Sequence, residues 1–287
     1  MTDLSVIIPT CDRPILLMDA IQCALGQSLP AAEIIVVNNG SQPLEAAKIS
    51  PQVKVCELEA YIGVSRARNH GAALAKGEYL AFLDDDDLWE KDYLAKVAEV
   101  IESQHPDCII TRLDQSSDGK ITPYRNADGN LNLAVLLVEN PGIGGPTTVV
   151  RRESFNQIGG YDRNLRTGED KSLVIDFLLK GFRVVAAPHI QAIMREVKGT
   201  RLTDSTSMAE GVAEFLKKYH SAMLPWQRNF NQLKIHYHRF LAGKNWLEYL
   251  RYWPAYLIHS MYRKRNPALP IAPKLALPHF YLQQQKR

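Results

Sequence analysis

The 287-residue sequence predicts an α/β protein, a mainly parallel sheet flanked by helices, followed by a helical C-terminal appendage. Three observations carry this reading. Short apolar runs alternate with helix-like stretches over the first hundred residues, the pattern of successive βαβ units. One of those runs, Tyr79-Leu80-Ala81-Phe82-Leu83, passes directly into Asp84-Asp85-Asp86-Asp87. After about Thr206 the strand signals stop, and aromatic residues interleave with lysine and arginine on helix-like segments. The expected division is one α/β domain over residues 1–205 and a helical appendage over residues 206–287.

Taken in order, Leu4–Pro9 reads as a strand. Thr10-Cys11-Asp12-Arg13-Pro14 reads as a turn and helix start, with Asp12 as cap and Pro14 in the first turn. Leu17, Ile21 and Leu25 then follow at helical spacing. Glu33–Val37 is a second strand, ended by the turn signal Asn38-Asn39-Gly40-Ser41. Val53–Leu58 is a third strand, Gly63–Ala75 a helix carrying Arg66, Arg68 and Asn69, and Tyr79–Leu83 a fourth strand. Leu88–Ser103 reads as an amphipathic helix and Asp107–Arg112 as a strand. Residues 113–130 are polar and turn-rich, a loop or hairpin, and 131–138 form a short helix. The glycine- and proline-rich stretch 140–146 leads into a strand over 147–151, then a short helix over 153–158 stopped by Gly159-Gly160. A helix over 171–180 and a last strand over 182–187 complete the α/β part. Helices are expected over 208–219, 226–242 and 246–264, with an extended proline-containing tail from Pro267 to Pro278.

Composition sets bounds on function. A hydrophobic fraction of 46%, a charged fraction of 23% and a net charge of +3 are ordinary for a globular protein. They supply no global field for nucleic acid, and no nucleic-acid-binding motif is present, so no nucleic-acid partner is expected. Cys11, Cys23, Cys56 and Cys108 make no CxxC and read as buried thiols of a reducing compartment. No apolar run reaches the ~18 residues of a membrane span. The chain enters a strand without a secretory leader, which points to the cytoplasm.

The acidic run carries the first chemical expectation. Carboxylates after a parallel strand lie at the sheet edge where α/β proteins bind ligands. Asp84 and Asp86 are two apart and project to one side of an extended chain. A same-side pair suits a hard divalent cation that keeps other positions for water and phosphate oxygens. The same four acids also read as favourable charges ahead of a helix N-terminus.

Six stretches in one order then resemble family 2 glycosyltransferases: Ser5-Val6-Ile7-Ile8-Pro9-Thr10, Val36-Val37-Asn38-Asn39-Gly40-Ser41, Gly63-Val64-Ser65-Arg66-Ala67-Arg68-Asn69, Phe82-Leu83-Asp84-Asp85-Asp86-Asp87-Leu88-Trp89, Gly159-Gly160-Tyr161-Asp162 and Gly168-Glu169-Asp170. The resemblance covers roughly residues 4–205 and implies an inverting, metal-dependent enzyme of the GT-A fold. It implies a nucleotide diphosphate sugar as donor and a glycan or glycolipid acceptor; if the C-terminal helices meet a membrane, a lipid-linked acceptor follows, in cell-envelope polysaccharide synthesis of the lipopolysaccharide or O-antigen kind. It also implies Mn²⁺ or Mg²⁺ held by Asp84 and Asp86, with Asp86 the direct ligand and Asp84 a ribose or water-mediated contact. Asp85 stands where the family usually has a non-acidic residue, within the nucleotide-binding stretch.

By the same resemblance Pro9, Thr10 and Asp12 approach the nucleoside, and Arg66 belongs to the nucleotide pocket. Asn38 and Asn39 stand where an aspartate usually accepts from the base, so UDP, dTDP and GDP donors all stay open. Asp170, beside Glu169, is the candidate general base. Gly144, Gly145 and Pro146 match a loop close to donor sugar and acceptor, and Trp89 either stacks on sugar or packs internally. Relatives often carry a histidine near Arg195-Glu196-Val197, where this chain has Val197, and Arg201 or Ser205 are further phosphate-contact candidates.

The aromatic and basic C-terminal residues suit an anionic membrane surface, which would place the protein peripherally on the inner face of the cytoplasmic membrane. They equally suit a helical cap on the catalytic domain or on a second subunit. Two alternatives to a glycosyltransferase stay open. One is a non-catalytic sugar- or membrane-binding module of the same fold. The other is a nucleotidyltransferase, disfavoured because no glycine- and lysine-rich triphosphate loop follows the first strand.

Overall fold

Residues 4–10 are apolar except for Ser5 and Thr10, and all seven are buried, as expected of a strand covered on both faces. In the computed structural model this is β1 (Leu4–Thr10). The structure describes residues 3–45, 49–125, 131–196, 205–273 and 275. Two units divide the chain, Met1–Arg201 and Leu202–Arg287.

In the first unit β1 is followed by α1 (Pro14–Leu25), β2 (Glu33–Asn38), β3 (Val53–Glu57), α2 (Val64–Leu74), β4 (Tyr79–Phe82) and β5 (Asp87–Trp89). Next come α3 (Tyr93–Gln104), β6 (Cys108–Ser117), β7 (Lys120–Arg125), α4 (Leu133–Leu136), β8 (Thr148–Arg151), α5 (Arg152–Gln157), α6 (Glu169–Leu179) and β9 (Val184–Arg195). Among the described residues the strands form one nine-stranded sheet, ordered β3-β2-β1-β4-β8-β6-β9-β5, with β7 paired to β6. β3, β2, β1 and β4 are parallel, and the direction reverses at β8. The carboxylate run therefore leaves the sheet at the strand where its order and direction change, the crevice position for ligands in open α/β sheets.

Two expectations are corrected here. Residues 88–103 are not one helix: Asp87-Leu88-Trp89 is a short strand antiparallel to Met194-Ile193-Ala192, and the helix begins only at Tyr93. Asp84 to Asp86 thus lie between two strands, and Asp87 lies within β5, so the run does not lead directly into a helix. The last strand does not stop at Ala187 but runs on to Arg195. Pro188 reads as a terminator. The ladder instead shifts register there, pairing Ala187 with Thr111 and Gln191 with Arg112, and the extra residues bulge out.

Helix α2 lies close on the sheet because its inner face is small: Ser65, Ala67, Gly71 and Ala72 are buried with Arg68. A Cβ on Gly71 would come within 2.5 Å of Ile7 Cγ2 and 3.1 Å of Val37 Cγ2.

The second unit contains α7 (Ser205–Tyr219), α8 (Pro225–Gly243) and α9 (Trp246–Arg265). Phe240 and Tyr249, and Phe230 and His259, join α8 to α9 through ring contacts, and His236 Nδ1 lies 2.6 Å from Glu248 Oε2. Among the described residues no helix is long and apolar enough to cross a membrane. Val197 and Arg201 lie outside the described residues.

Candidate active site

Asp84 to Asp87 leave β4 into a ring of basic side chains. Arg68, 2% exposed, is the centre of one group. Its Nη2 donates to Asp84 Oδ1 at 2.6 Å, and its Nη1 donates to Asp170 Oδ1 at 2.9 Å and Glu169 Oε1 at 3.2 Å. The guanidinium also lies 5.0 Å over the ring of the buried Tyr161. One cation from α2 thus joins the end of β4 to the start of α6. Burial by itself would lower the Arg68 pKa, but Asp170 and Asp84 outweigh it and hold the group well above its ordinary value.

Arg13 holds the second group. Its Nη1 donates to Asp85 Oδ1 at 3.1 Å and to Asp86 Oδ2 at 2.7 Å. Thr10 Oγ1 donates to the other oxygen of Asp85 at 2.7 Å. Asp85 is buried, and that burial pushes its pKa up to about 6, with Asp86 and Asp84 adding to the shift and Thr10 and Arg13 opposing it. Burial and then the neighbouring Asp84 also raise Asp86. Asp87 is raised well above the usual range, first by burial and then by Asp84 and Asp86.

Arg195, at the end of β9, closes the far side. Its Nε donates to the Asp86 carbonyl at 2.8 Å, its backbone N–H to Asp87 Oδ1 at 3.2 Å, and its Nη1 pairs with Asp19 at 2.6 Å.

Asp170 opens α6 after Gly168, whose φ of 76° favours glycine. Burial pushes the Asp170 carboxyl well above its ordinary pKa, Arg68 opposes that, and Glu169 and Asp84 add to it. The Gly144-Gly145-Pro146 loop lies against the same cluster. A Cβ on Gly145 would meet Arg68 Nη2 at 2.5 Å and Asp84 Oδ1 at 2.6 Å. Trp89 is buried, stacks on Tyr93 with centroids 4.3 Å apart, and donates from Nε1 to the Pro146 carbonyl at 2.7 Å. It supports the loop from beneath and does not present a face to a sugar.

Asp12 does not cap α1, whose cap position is Arg13 with no side-chain bond to the helix. Its Oδ1 instead accepts from the Ser41 N–H at 2.7 Å and its Oδ2 from Tyr61 OH at 2.7 Å, tying the ends of β1 and β2 together. The Tyr61 bond and then the Ser41 N–H lower the Asp12 pKa. Gly40 allows this approach, since a Cβ there would meet Asp12 Oδ1 at 2.5 Å.

The two asparagines separate. Asn38 donates to Glu57 Oε2 at 2.6 Å and the Gln42 carbonyl at 2.8 Å, and accepts from the Gly40 N–H at 3.0 Å. It is committed to the loop. The Asn39 side chain, on a residue only 5% exposed, has no hydrogen-bond partner among the described residues. Arg66 is exposed on the outer face of α2, without an ion pair among the described residues.

Arginines 13, 68 and 195 were not singled out from the sequence as organisers of the site. A signal existed for Arg68. It falls three and four positions before Gly71 and Ala72, on the small inner face of the helix, whereas Arg66 lies on the opposite side.

Solved structures with the same architecture are known. That of S. aureus TarS residues 1–349 in complex with UDP-GlcNAc aligns with a TM-score of 0.63 at 16% identity, over 88% of this chain and 79% of that one. GalNAc-T7 with UDP, GalNAc and Mn²⁺ aligns with a TM-score of 0.61 at 16% identity, over 82% and 51%. The fold is GT-A, and the class it defines with this carboxylate-rich crevice is a glycosyltransferase. The chain belongs to glycosyl transferase family 2, whose profile it matches over residues 5–159.

Among relatives, a Bacillus subtilis protein named for teichuronic acid biosynthesis, the glycosyltransferase TuaG, is 32% identical over 186 residues, 62% of this chain and 73% of that one. The succinoglycan biosynthesis protein ExoO of Rhizobium meliloti is 26% identical over 239 residues, 76% and 69%.

Proposed function

We propose that this glycosyltransferase uses a UDP-sugar and a divalent ion, and transfers the sugar with inversion to a growing cell-envelope glycan. Residues 1–205 are the catalytic domain in this reading. The observation that carries it is the cluster around β4: six carboxylates (Asp84, Asp85, Asp86, Asp87, Glu169, Asp170) and three guanidiniums (Arg13, Arg68, Arg195) at one sheet edge. Carboxylates outnumber guanidiniums, and burial first, then the neighbouring acids, raises the pKa values of Asp85, Asp86 and Asp87.

The donor set fits a hard divalent cation. Asp84 and Asp86 keep 24% and 26% of their side-chain surface exposed and offer only carboxylate oxygens. Among the described residues no three His, Cys, Asp or Glu side chains form a cage for a metal alone. That suits an ion whose remaining positions go to diphosphate oxygens and water. Asp86 is the direct ligand in this assignment, and Mn²⁺ or Mg²⁺ bound there offsets charge on the leaving diphosphate.

The chain's own residues do the rest. Asn39, with its amide uncommitted at the end of β2, reads the base edge, and the Pro9-Thr10 end of β1 lies beside it, since Asn39 N–H donates to the Thr10 carbonyl at 2.9 Å. Arg66 reaches phosphate from the outer turn of α2. Gly145 lets the sugar approach the Asp84–Arg68 pair. Asp170 takes the proton from the acceptor hydroxyl as that oxygen attacks the anomeric carbon opposite the nucleotide. UDP is favoured over dTDP and GDP because the TarS and GalNAc-T7 structures hold UDP or its sugar. TuaG and ExoO favour an envelope polysaccharide or its lipid-linked precursor as acceptor.

The test is a melting-temperature panel with UDP-, dTDP- and GDP-sugars, with and without Mn²⁺. A UDP-sugar with Mn²⁺ at about 100 times its Kd should stabilise by about 2.7 kcal/mol, a shift of roughly 5–10 °C for a unit of about 200 residues. Asp86→Ala should abolish that shift. Absence of any metal-dependent shift with all three donors overturns the reading.

A further inference from the structure

In the second unit, α9 is fixed by one face and bare on the other. Tyr249, Tyr252, Ala255 and His259 are buried, and Asn229 of α8 donates to the Ala255 carbonyl at 2.9 Å. The opposite face carries Leu247, Leu250, Leu257, Ile258 and Met261, with the exposed Pro254 between them. Steps of three and four residues put these positions on one stripe. Leu250 is 63% exposed, Leu257 60% and Met261 61%. An apolar stripe from Leu247 to Met261, about 21 Å along a 20-residue helix, is more than scattered surface leucines explain.

The charges around the stripe have one sign. Lys244 stands before its start, Arg251 beside it, and Lys264 and Arg265 at its end, all exposed. The helix's one acid, Glu248, is buried and bonded to His236 and Arg251. After Tyr219 the sequence contains eleven Lys and Arg against that single acid. The half-buried rings of Trp253 and Tyr262 flank the stripe, amphipathic side chains of the kind that settle at headgroup depth.

We infer that this face of α9 is a membrane-docking surface that lies in the plane of an anionic lipid bilayer. The leucines and Met261 enter the acyl boundary and the lysines and arginines meet lipid phosphates. The helix does not satisfy the requirements of a span, so it binds in plane. A second copy of the chain fits less well, because a two-fold contact through this stripe would set the basic rims of two copies against each other. The inference does not rest on the sugar-transfer reading, and its test needs no nucleotide sugar.

The full-length protein is sedimented with vesicles of phosphatidylcholine alone and of phosphatidylcholine mixed with phosphatidylglycerol, at low and high salt. Binding to the anionic vesicles, weakened by salt, is expected. Leu250→Glu with Leu257→Glu should cut the partition constant by about tenfold or more, given what burial of one leucine is worth. Lys264→Glu with Arg265→Glu should remove the preference for anionic lipid. All four side chains are exposed, and circular-dichroism melting confirms that the variants fold. Wild-type protein that stays in the supernatant with both vesicle types overturns the inference, as does undiminished binding of the leucine variant. If the wild-type protein is instead a dimer that the leucine variant dissolves, without vesicle binding, the stripe is a self-association surface and the lipid assignment fails.

Discussion

Arg68 is a buried cation shared by Asp84, Glu169 and Asp170. Removing it leaves three partly desolvated carboxylates with no counter-charge, and losing one side of a buried ion pair costs about 3–5 kcal/mol. Arg68→Met should therefore lower stability by that order in urea unfolding, whereas Arg66→Met, on the exposed face, should change it by less than about 0.5 kcal/mol. Asp85 gives a pH signature. Its pKa is about 6 in the folded protein against an unfolded value of 3.8, so the folded state holds the extra proton between those values. Stability from this group is then lost as pH rises from about 4 to about 6, by up to roughly 3 kcal/mol. Asp85→Asn should remove that dependence. The stability difference, variant minus wild type, should grow by that amount between pH 4 and pH 7, measured by urea titration at each pH. Which residues do this work was only half legible. The acids announce themselves as a run after a strand, but a lone arginine becomes a counter-ion only once the chain has brought α2 and α6 together. Asn38 and Asn39 look alike in sequence, and the Glu57 carboxylate on the neighbouring strand, with the Gln42 carbonyl and the Gly40 N–H, engages Asn38 alone.

At the scale of elements, the parallel half of the sheet could be read directly, because strands covered on both faces are continuous apolar runs: β1, β2 and β4 are buried nearly throughout. The antiparallel half was harder. β5 has three residues, too few for a period, and its pairing to β9 is a long-range event that local propensity does not encode. Pro188 ends a strand in sequence logic, yet the bulge opposite Thr111 and Arg112 absorbs it and carries Arg195 to the carboxylates. Close approach of elements is also testable at two glycines. Gly71→Ala drives a methyl into Ile7 and Val37 and should destabilise by about 1–3 kcal/mol, with donor KM unchanged. Gly145→Ala puts its methyl against the Asp84–Arg68 pair, so turnover should fall more steeply than stability, read as kcat/KM beside the urea midpoint.

At the scale of the whole molecule, charge is distributed by unit. Residues 202–287 hold 13 of the 34 basic residues and four of the 31 acids, a formal +9, which leaves the first 201 positions at a formal −6. The carboxylate crevice and the basic helices thus belong to different parts of the chain, and none of the donor-site residues is on α9. Changes at sites that share no partners add within about 0.3–0.5 kcal/mol. Asp86→Ala should therefore abolish nucleotide release from the donor while leaving vesicle binding intact. The Leu250→Glu, Leu257→Glu pair should do the reverse, keeping donor hydrolysis in water within about twofold of wild type. The combined variant should lose both activities with no interaction term. If vesicle binding changes the rate of nucleotide release, or if the donor shifts the partition constant, the two units are coupled by the corresponding free energy. Linkage then requires the effects on the two binding equilibria to be equal in both directions, which donor titrations with and without vesicles measure.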